Sequence, residues 1–492
     1  MSTAGSLAYP FAKAHGVVLL GFDGQARVGL REGADPLALV EVRRALGPLK
    51  VERLSRADFE RRLSEAYAGE GLSGPGDDLD MSGGLEGLVE DIPATADLLD
   101  TSDDAPVIRL INGLIAEAAR QGASDIHIEP FETALVVRMR VDGVMREVLR
   151  LSQRLAPLLV SRVKVMARLD IAEKRLPQDG RISLNIGGRA LDVRVSTLPA
   201  RAGERVVMRL LDQEQAGLEL SELGMNPATL QLFRAALAEP NGIVLVTGPT
   251  GSGKTTTLYA GLALLNDASR NILTIEDPVE YAIPGIGQTQ VNTKVGMTFA
   301  AGLRAILRQD PNVVMVGEIR DVETAQIAVQ ASLTGHLVLS TVHTNDALGA
   351  ITRLRDLGVE PFLLASTVRL IMAQRLVRRL CPECRRAEPA DAAAARLLGV
   401  AQGTTIWRAV GCAACNQTGY AGRVGVYEAV RIDDRLRRLI GEDAGEDAMA
   451  AQAFGAGGRL AEVVRRYVTE GVTTLEEAIR IARQESGEHV GV

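Results

Sequence analysis

Long apolar runs and aromatic residues are both scarce in this sequence of 492 residues. No run of about 18 apolar residues occurs, and the chain does not open with a basic segment followed by an apolar one, so we expect neither a membrane span nor a signal peptide. Aromatic residues make up only 3% of the chain, and the formal net charge is −7. Both values disfavour nucleic acid as the main partner, because proteins that bind it concentrate basic side chains and interleave them with aromatic ones. The sequence therefore predicts a cytoplasmic protein that does not bind nucleic acid.

Cysteine is rare as well, and its four copies form two C-x-x-C pairs. In a reducing compartment these pairs are not expected to be disulfides. Four thiolates in two knuckles match a tetrahedral structural zinc site, and a redox-active pair is the alternative. The predicted Zn²⁺ ligands are Cys381, Cys384, Cys412 and Cys415.

Lysine and arginine are missing between residues 63 and 108, where acidic residues accumulate among glycine and serine. Such a segment does not bury enough apolar surface to fold alone, so residues 69–104 are predicted to be a flexible acidic linker. Before it, residues 1–68 alternate short apolar runs with helical patterns, which predicts a small α/β module. Because this module carries no catalytic constellation, we interpret it as a docking module.

The strongest motif is IVLVTGPTGSGKTTTL at residues 243–258. It reads as a β-strand, a glycine-rich turn and a helix, and it fills the G-x-x-x-x-G-K-[ST] pattern of a phosphate loop. Backbone amides at the helix start would bind phosphate, Lys254 would reach the β- and γ-phosphates, and the Thr255 hydroxyl would hold Mg²⁺. The sequence therefore predicts an ATP site whose loop consists of Gly248, Pro249, Thr250, Gly251, Ser252, Gly253, Lys254 and Thr255.

Around this loop, residues 216–380 alternate strand and helix patterns, which predicts a parallel sheet covered on both faces. Because ligands bind at the carboxyl ends of such strands, the polar residues found there are candidate catalytic residues. Glu318 is the one acid at its strand end and is assigned to polarising the attacking water, while Glu276 is assigned to supporting the metal or the water. His336 and His343 bracket a third strand, and sensing of the γ-phosphate and a structural role are equally favoured for them.

Residues 105–215 combine a helical stripe with strands of alternating polarity, which predicts an α+β domain with an antiparallel sheet. The many arginines of this segment are either solvated strand positions or ligands of a phosphate on a neighbouring subunit. His127 is interpreted as a sheet-face residue bonded to Asp125. Farther along, Arg304 and Arg308 are spaced i, i+4 on a helix, where they could pair with acids or bind the nucleotide.

Taken together, GPTGSGKTTTLYAGL, ILTIEDPVEY, NVVMVGEIRD, HLVLSTVHTNDA and the paired C-x-x-C resemble the secretion ATPase superfamily of bacterial type II secretion and type IV pilus systems. The resemblance covers roughly residues 105–430. The stretch KRLPQDGRISLNIGGRALDVRVSTLPARAGERVVMRLLD, the short N-terminal module and the cysteine insert look most like the type II secretion assembly ATPases. In that family Gly317 belongs to the normal form of the motif that contains Glu318.

The resemblance implies a cytoplasmic homohexameric ATPase, peripheral at the inner membrane of a Gram-negative bacterium, that drives pseudopilus assembly for protein export. It implies a RecA-like core preceded by a PAS-like sheet domain, with the site between the two, and an inner-membrane platform protein docked on the N-terminal module. Membrane contact would be through partners alone. The arginines that would contact phosphates are Arg194, Arg209, Arg304, Arg308 and Arg423.

A type IV pilus extension ATPase shares every core motif and is the nearest alternative. A nucleic-acid-translocating motor and a nucleotide-gated scaffold with little hydrolysis are alternatives from other classes. The predicted boundaries are 1–68 for the docking module, 69–104 for the linker, 105–215 for the sheet domain, 216–380 for the ATPase core, 381–425 for the zinc insert and 426–492 for a helical C-terminal region.

Overall fold

The computed structural model describes residues 15–22, 25–34, 38–55, 59, 62, 104–186, 189–212, 219–454 and 458–485. Residues 69–103 of the predicted acidic linker lie outside these ranges. Within them, no helix is both long enough and apolar enough to cross a membrane.

The described part of the N-terminal module is a three-stranded sheet with one helix. Its elements are β1 (Val17–Phe22), β2 (Ala26–Arg31), α1 (Ala38–Leu46) and β3 (Leu49–Leu54). β2 is the central strand, antiparallel to β1 and parallel to β3. Val17, Val28 and Val42 are fully buried in a small apolar core, so this part has the α/β character that the sequence predicts.

A six-stranded sheet follows, in the order β6-β5-β4-β9-β8-β7. Its strands and helices are α2 (Asp104–Arg120), β4 (Ala123–Pro130), β5 (Leu135–Val141), β6 (Val144–Leu151), α3 (Ala156–Met166), β7 (Gln178–Ile186), β8 (Arg189–Ala200) and β9 (Gly203–Asp212). β4 is antiparallel to both β5 and β9, and β5 is antiparallel to β6. These strands and helices match the predicted α+β domain.

The largest sheet has seven strands in the order β12-β11-β13-β14-β10-β15-β18. Its first part consists of α4 (Pro227–Leu237), β10 (Gly242–Thr247), α5 (Lys254–Leu265), β11 (Ile272–Glu276), β12 (Gly287–Gln290), α6 (Phe299–Ile306), β13 (Val313–Val316), α7 (Val322–Leu333), β14 (Leu337–Val342), α8 (Gly349–Asp356), α9 (Pro361–Thr367) and β15 (Val368–Leu380). The first six strands of that order pair in parallel, as predicted. Because both faces of a parallel sheet are covered by helices, every residue of β10, β13 and β14 is buried.

Alternating residues of β10 supply two apolar clusters, one on each face of the sheet. Ile243 and Leu245 belong to the cluster that includes α7, α8 and α9. Val244 and Val246 belong to the cluster that includes α4 and α5. The period of two along the strand thus anchors helices on both sides of the strand that leads into the phosphate loop.

The cysteine insert lies between two adjacent strands of this sheet. After β15 come β16 (Arg386–Pro389), α10 (Ala392–Leu398), β17 (Thr405–Arg408) and β18 (Tyr420–Arg431). β18 is antiparallel to β15 and forms the edge of the sheet, while β16 and β17 form a separate two-stranded sheet. The chain continues with α11 (Asp434–Gly441), α12 (Glu446–Ala453), α13 (Leu460–Thr469) and α14 (Leu475–Glu485), which pack against the core cluster.

Candidate active site

The phosphate loop connects the buried end of β10 to the first turn of α5. Gly248 has φ +147°, and a Cβ there would lie 2.5 Å from the carbonyl oxygen of Gln374 on β15. Gly253 caps α5 with φ +86°, and its Cβ would lie 2.8 Å from Nε2 of Gln374. The left-handed backbone and the close approach to β15 both require glycine at these two positions.

Lys254, the first residue of α5, turns its side chain back over the loop. Its Nζ donates to the carbonyl oxygens of Gly248 at 2.8 Å and Pro249 at 3.0 Å, and the residue is 8% exposed. Burial lowers the pKa of the ammonium to about 8, with Glu318 opposing the shift and Arg375 and Arg320 adding to it. The loop therefore holds a buried, partly compensated positive charge at a helix N-terminus, where anions bind.

The other loop residues differ in their exposure. Pro249, Thr250, Gly251 and Thr255 are exposed, so the Thr255 hydroxyl is accessible at the start of α5. Ser252 is buried, and its hydroxyl oxygen has no hydrogen-bond partner within the described part of the chain. The first amides of α5 have no acceptor within their own helix, because an α-helix leaves its first four N–H groups unpaired. Accessible amides and hydroxyls around a lysine fit a bound phosphate chain.

Glu318 and His343 come together at the carboxyl ends of β13 and β14. The Nε2 atom of His343 lies 3.1 Å from Oε2 of Glu318, and Nε of Arg320 lies 2.5 Å from the same oxygen. Burial lowers the pKa of His343 below its usual 6.5, and the charge of Lys254 adds to this shift. The carboxylate of Glu318 is thus beside the phosphate loop, with a neutral imidazole and a guanidinium on one of its oxygens.

Glu276 is fixed by neutral donors rather than by cations. It lies 2% exposed at the end of β11 and accepts hydrogen bonds from Tyr259, from Thr274 at 2.5 Å and from Gln288 at 3.3 Å. Burial raises the pKa of this carboxyl. Because Tyr259 belongs to α5, these bonds tie the helix that follows the phosphate loop to β11.

The two histidines of the third strand lie at its opposite ends. His343 follows β14 and reaches Glu318, as described above. His336 precedes β14, where its Nδ1 lies 2.9 Å from the carbonyl oxygen of Ala331 on α7. His343 is therefore the histidine of this pair that lies at the carboxyl edge of the sheet.

All five arginines implied by the resemblance have contacts with the protein itself. Arg304 pairs with Glu323 at 2.5 Å, and Arg308 donates to the backbone oxygen of Arg304 at 2.9 Å. Arg209 on β9 donates to Asp125 at 2.9 Å, and Arg423 on β18 lies 3.8 Å from Asp142 in the turn between β5 and β6. Arg194 lies half-buried on β8.

The predicted bond between His127 and Asp125 is replaced by other pairings. Asp125 lies 2.9 Å from Arg209 and 3.6 Å from Arg140, both of which neighbour it in the sheet. His127 has its Nδ1 3.8 Å from Glu129, and Arg138 and Arg205 also pair with Glu129. The arginine-rich strands thus form two clusters, each centred on one carboxylate.

Sequence reasoning missed Arg375, which lies 1% exposed beneath the phosphate loop. Its Nη2 donates to the backbone oxygen of Asn345 at 2.6 Å, and its Nη1 donates to that of Gln374 at 3.1 Å. A Cβ at Gly248 would lie 3.3 Å from Nη1. Arg375 thus joins the loop to the segment that carries His343, and the available signal was an arginine inside the largely apolar strand VRLIMAQRLVRRL.

The four cysteines form a compact cluster at the end of β15. All four sulfur atoms lie within 4.8 Å of one another, and three of the pairs are 3.7 to 3.9 Å apart. A tetrahedral zinc ion with Zn–S bonds of about 2.3 Å requires sulfur atoms roughly 3.8 Å apart. The cluster therefore has the dimensions of a four-thiolate metal site.

Backbone amides point at two of these sulfur atoms. Gly411 N lies 3.3 Å from Sγ of Cys384, while Cys412 N and Gly419 N each lie 3.2 Å from Sγ of Cys415. Burial opposes ionisation of Cys415, but the two amide donors together with the thiols of Cys412 and Cys384 outweigh it and lower its pKa to about 6, whereas burial raises the pKa of Cys384 to about 11. The knuckle is built to hold a thiolate, the form that binds metal.

Two family descriptions match the chain. "Type II/IV secretion system protein" matches residues 100–480, and a domain description of "GSPII protein E" matches residues 6–67. The chain is 55% identical to type II secretion system protein E of Klebsiella pneumoniae, over 97% of both chains. It is also 55% identical to type II secretion system ATPase E of Vibrio cholerae, over 91% of this chain and 90% of that protein.

Solved structures show the same fold. The pilus retraction motor PilT with bound ADP is 26% identical, covers 75% of this chain and 95% of its own, and aligns with a TM-score of 0.51. The ATPase DotB of Legionella pneumophila is 21% identical, covers 77% of this chain and 95% of its own, and aligns with a TM-score of 0.56. The predicted P-loop ATPase architecture is thereby confirmed.

Proposed function

The chain belongs to the type II/IV secretion system protein family, and on this premise we propose that it is an ATPase that drives pseudopilus assembly for protein export by type II secretion. Its closely similar relatives carry the name type II secretion system protein E, which favours this function over pilus extension. The observation that carries the proposal is the convergence of Glu318 and His343 on the phosphate loop beside Lys254.

In the proposed reaction the loop residues Gly248 to Thr255 bind the phosphates of ATP. Lys254 exchanges its bonds to two loop carbonyl oxygens for the β- and γ-phosphates, and the exposed Thr255 hydroxyl would hold Mg²⁺. Mg²⁺ would neutralise charge on the phosphate oxygens. Glu318 orients and polarises the attacking water through the oxygen that faces away from Arg320 and His343.

His343 and Glu276 support this chemistry in different ways. The lowered pKa keeps His343 neutral near pH 7, so that it can donate one hydrogen bond without adding charge. Because it contacts Glu318, His343 would couple the presence of the γ-phosphate to the position of that carboxylate. Glu276, which the sequence assigns to the metal or the water, supports them indirectly by fixing α5 against β11 through Tyr259.

The proposed active form is a homohexamer in which arginines reach the nucleotide from another domain or subunit. Arg194, Arg209, Arg304, Arg308 and Arg423 are the candidates. Arg209 would leave Asp125 to reach a phosphate, an exchange of one charge-assisted bond for another. An arginine supplied in this way is typically worth about 10³ to 10⁵ in rate, so the isolated subunit is expected to be slow.

We assign Zn²⁺ to Cys381, Cys384, Cys412 and Cys415, in agreement with the spacing of the sulfur atoms. The metal would supply structure rather than catalysis, because all four ligands are protein thiolates and no position stays open for a substrate. Arg423 lies on β18, close after the second knuckle. The zinc site would therefore also fix the start of the strand that carries this arginine.

The N-terminal module is proposed to dock on an inner-membrane platform protein of the secretion system. Its support is the match of residues 6–67 to a domain of GSPII protein E. The protein would then be cytoplasmic and peripheral at the inner membrane of a Gram-negative bacterium, touching the membrane through its partners.

ATP turnover as a function of protein concentration tests the proposal. Specific activity should rise with concentration as subunits assemble. Glu318→Gln and Arg209→Ala chains mixed into wild type should lower the activity by more than their share, because each would spoil a site that it shares with a neighbour.

The matched control is Arg201→Ala, which removes an arginine that is 90% exposed in the turn between β8 and β9 and pairs with exposed Glu132. It should leave the activity of the mixture unchanged. Activity per chain that is independent of concentration, with variants that merely dilute it, would show that each chain has a complete site and would overturn the shared-site mechanism. Turnover that requires added DNA would replace the secretion motor with a nucleic-acid translocase.

A further inference from the structure

A cavity of about 420 Å³ lies at the end of the core sheet opposite the phosphate loop. It is lined by Glu239 and three arginines, Arg369, Arg431 and Arg437, together with Ala236, Ser366 and Ile432. Arg369, the second residue of β15, lies beside Gly242 at the start of β10, whereas the phosphate loop follows the other end of β10. Six strand residues separate the two ends by roughly 20 Å, so this cavity is distinct from the nucleotide site.

The strands and a helix bring the three guanidinium groups together. Leu370 on β15 pairs with Arg431 on β18, and the amide of Ile432 donates to the carbonyl oxygen of Arg369 at 3.0 Å. Arg437 comes from the first turn of α11, which starts just after β18. The cavity is thus a consequence of how β18 joins the sheet and turns into α11.

The positive charge of this cavity exceeds the negative charge around it. Arg369 donates to neutral oxygens only in the described contacts: those of Asn241 at 3.2 and 3.5 Å and of Ser366 at 2.8 Å. Arg431 pairs with Glu239 at 3.3 Å. One carboxylate therefore faces three guanidinium groups among the lining residues.

Arg437, which lines the cavity, has donor capacity left. Its Nη1 pairs with Asp434, whose side chain is 90% exposed, while its buried Nε has no hydrogen-bond partner among the described residues. Burial lowers the pKa of Arg369, and the charge of Arg437 adds to this shift. Neighbouring guanidinium groups that repel one another are stabilised by a multivalent anion between them.

We propose that this cavity binds a phosphate-bearing anion between Arg369, Arg431 and Arg437. Guanidinium groups match phosphate oxygens with paired donors, and a tetrahedral phosphate can bind more than one of them at once. The volume exceeds that of one phosphate and is in the range of small-molecule sites. The formal net charge of −7 means that the site does not belong to a generally basic surface.

The test measures binding of inorganic pyrophosphate to the full chain by calorimetry, with Mg·ADP saturating the phosphate loop. One pyrophosphate per chain should bind, and Arg431→Gln combined with Arg437→Gln should weaken it at least tenfold. Arg435→Gln changes an exposed arginine of the same helix that does not line the cavity, so it should bind as wild type does. Binding should also persist in Lys254→Ala, in which the phosphate loop is impaired.

Absence of pyrophosphate binding to the ADP-saturated protein, or equal binding to wild type and the double variant, would overturn the proposal. Tighter binding of citrate than of pyrophosphate would overturn the phosphate class. Vesicles of phosphatidylcholine with and without phosphatidylglycerol identify the source of the phosphate. Sedimentation that needs phosphatidylglycerol and both arginines would assign it to a lipid headgroup, and pyrophosphate binding without such sedimentation would assign it to a soluble compound.

Discussion

The phosphate loop and the cysteine cluster are both attached to β15, but different interactions hold them in place. Gln374 and Arg375, in the middle of β15, pack against the loop. Cys381 follows the last residue of the same strand. The loop packs against a sheet that is buried on both faces. The cysteines are supported by one another, by a few backbone amides and by whatever their sulfur atoms bind.

This difference predicts whether a change in each region affects the activity or the local fold. Removing a charge from the loop should change its chemistry and leave the fold, because β10 and α5 are packed by apolar side chains. Removing the metal from the cluster should change the local fold, because metal binding in such sites supplies folding free energy. The part of the insert formed by α10 and β17 should stay folded without the metal, since Ala395, Leu398 and Ile406 pack into the core.

The largest effect is expected for Lys254→Ala. Turnover should fall by at least about a thousandfold, because the ammonium group stabilises charge on the transferred phosphate. The melting temperature should change by no more than about 3 °C, since the change also removes a buried charge. Phosphate release and thermal unfolding measure the two quantities.

Lys294→Ala is the matched control, because Lys294 is an exposed lysine of the same core. It should keep wild-type turnover. A Lys254→Ala protein with near-normal turnover would remove the loop from the catalytic site, and one that does not fold would contradict the contrast drawn with the cysteines.

Metal removal should act on the other region. The purified protein should contain about one zinc per chain, and a strong chelator or Cys412→Ser should remove it. Structural zinc contributes about 10–16 kcal/mol of binding free energy in small peptides. Amide hydrogen exchange should therefore accelerate at residues 381–384 and 411–419, with little change in β10.

Lys254→Ala serves as the control for this experiment, because it should keep its zinc. Protein that retains slow exchange at the knuckles after complete removal of the metal would make the cysteines incidental to the fold. Disulfides found in the purified protein would favour the redox alternative.

A substitution of Glu477 tests whether the phosphate loop and the cysteine cluster are coupled through β15. This buried carboxylate on α14 accepts from the amide of Arg378 at 2.9 Å, from its Nε at 3.1 Å and from Arg480 at 2.8 Å. Burial opposes its ionisation, but the two arginines lower its pKa. Glu477→Gln should cost about 1.5–3 kcal/mol and accelerate hydrogen exchange at residues 376–380.

The neighbouring Glu476→Gln changes a carboxylate of the same helix that makes none of these bonds, and it should have no such effect. The affinity for ADP should be unchanged in both variants, since Arg375 holds the phosphate loop on the other side of this segment. Loss of ADP affinity in Glu477→Gln alone would show that the two regions of β15 are coupled.

The phosphate loop and the cysteine pairs could be predicted because each is a short sequence pattern that rarely occurs for another structural reason. Gly248, Gly253 and Lys254 sit within seven positions of one another, and one metal needs both knuckles. The strands that carry Glu318 and His343 were predictable for a related reason, since buried parallel strands read as apolar runs.

The remaining parts depend on contacts between distant residues. Arg375 acquires its role from β15 lying beside β10, and its position among apolar residues marks it as unusual without showing which loop it contacts. The pairing of β18 with β15 spans the whole cysteine insert. The ion pair of Arg304 with Glu323 was an open alternative, because spacing shows that Arg304 and Arg308 share a face but not which acid they meet. The bond of Arg209 to Asp125 was not predicted, because it depends on β9 lying beside β4 in the sheet.

The smallest expected effect is the pH dependence of Lys254, which should change ATP turnover without lowering the stability of the fold. The ammonium of Lys254 has a pKa of about 8 in the folded chain, against about 10.4 for a free lysine. As pH rises through about 8 the folded protein loses this charge, so kcat/KM for ATP, which reports the free enzyme, should fall about twofold at pH 8 and about tenfold per unit above it. The free energy of unfolding should not fall when Lys254 loses its proton. Between about pH 8 and 10 this lysine is protonated more often in the unfolded chain than in the folded one, so unfolding becomes less favourable as pH rises. Rates between about pH 6.5 and 9.5, with melting temperatures at each pH, measure both. Lys294→Ala should follow the wild-type profile, and a kcat/KM that stays flat to about pH 9.5 would show that the ammonium keeps its proton despite its burial.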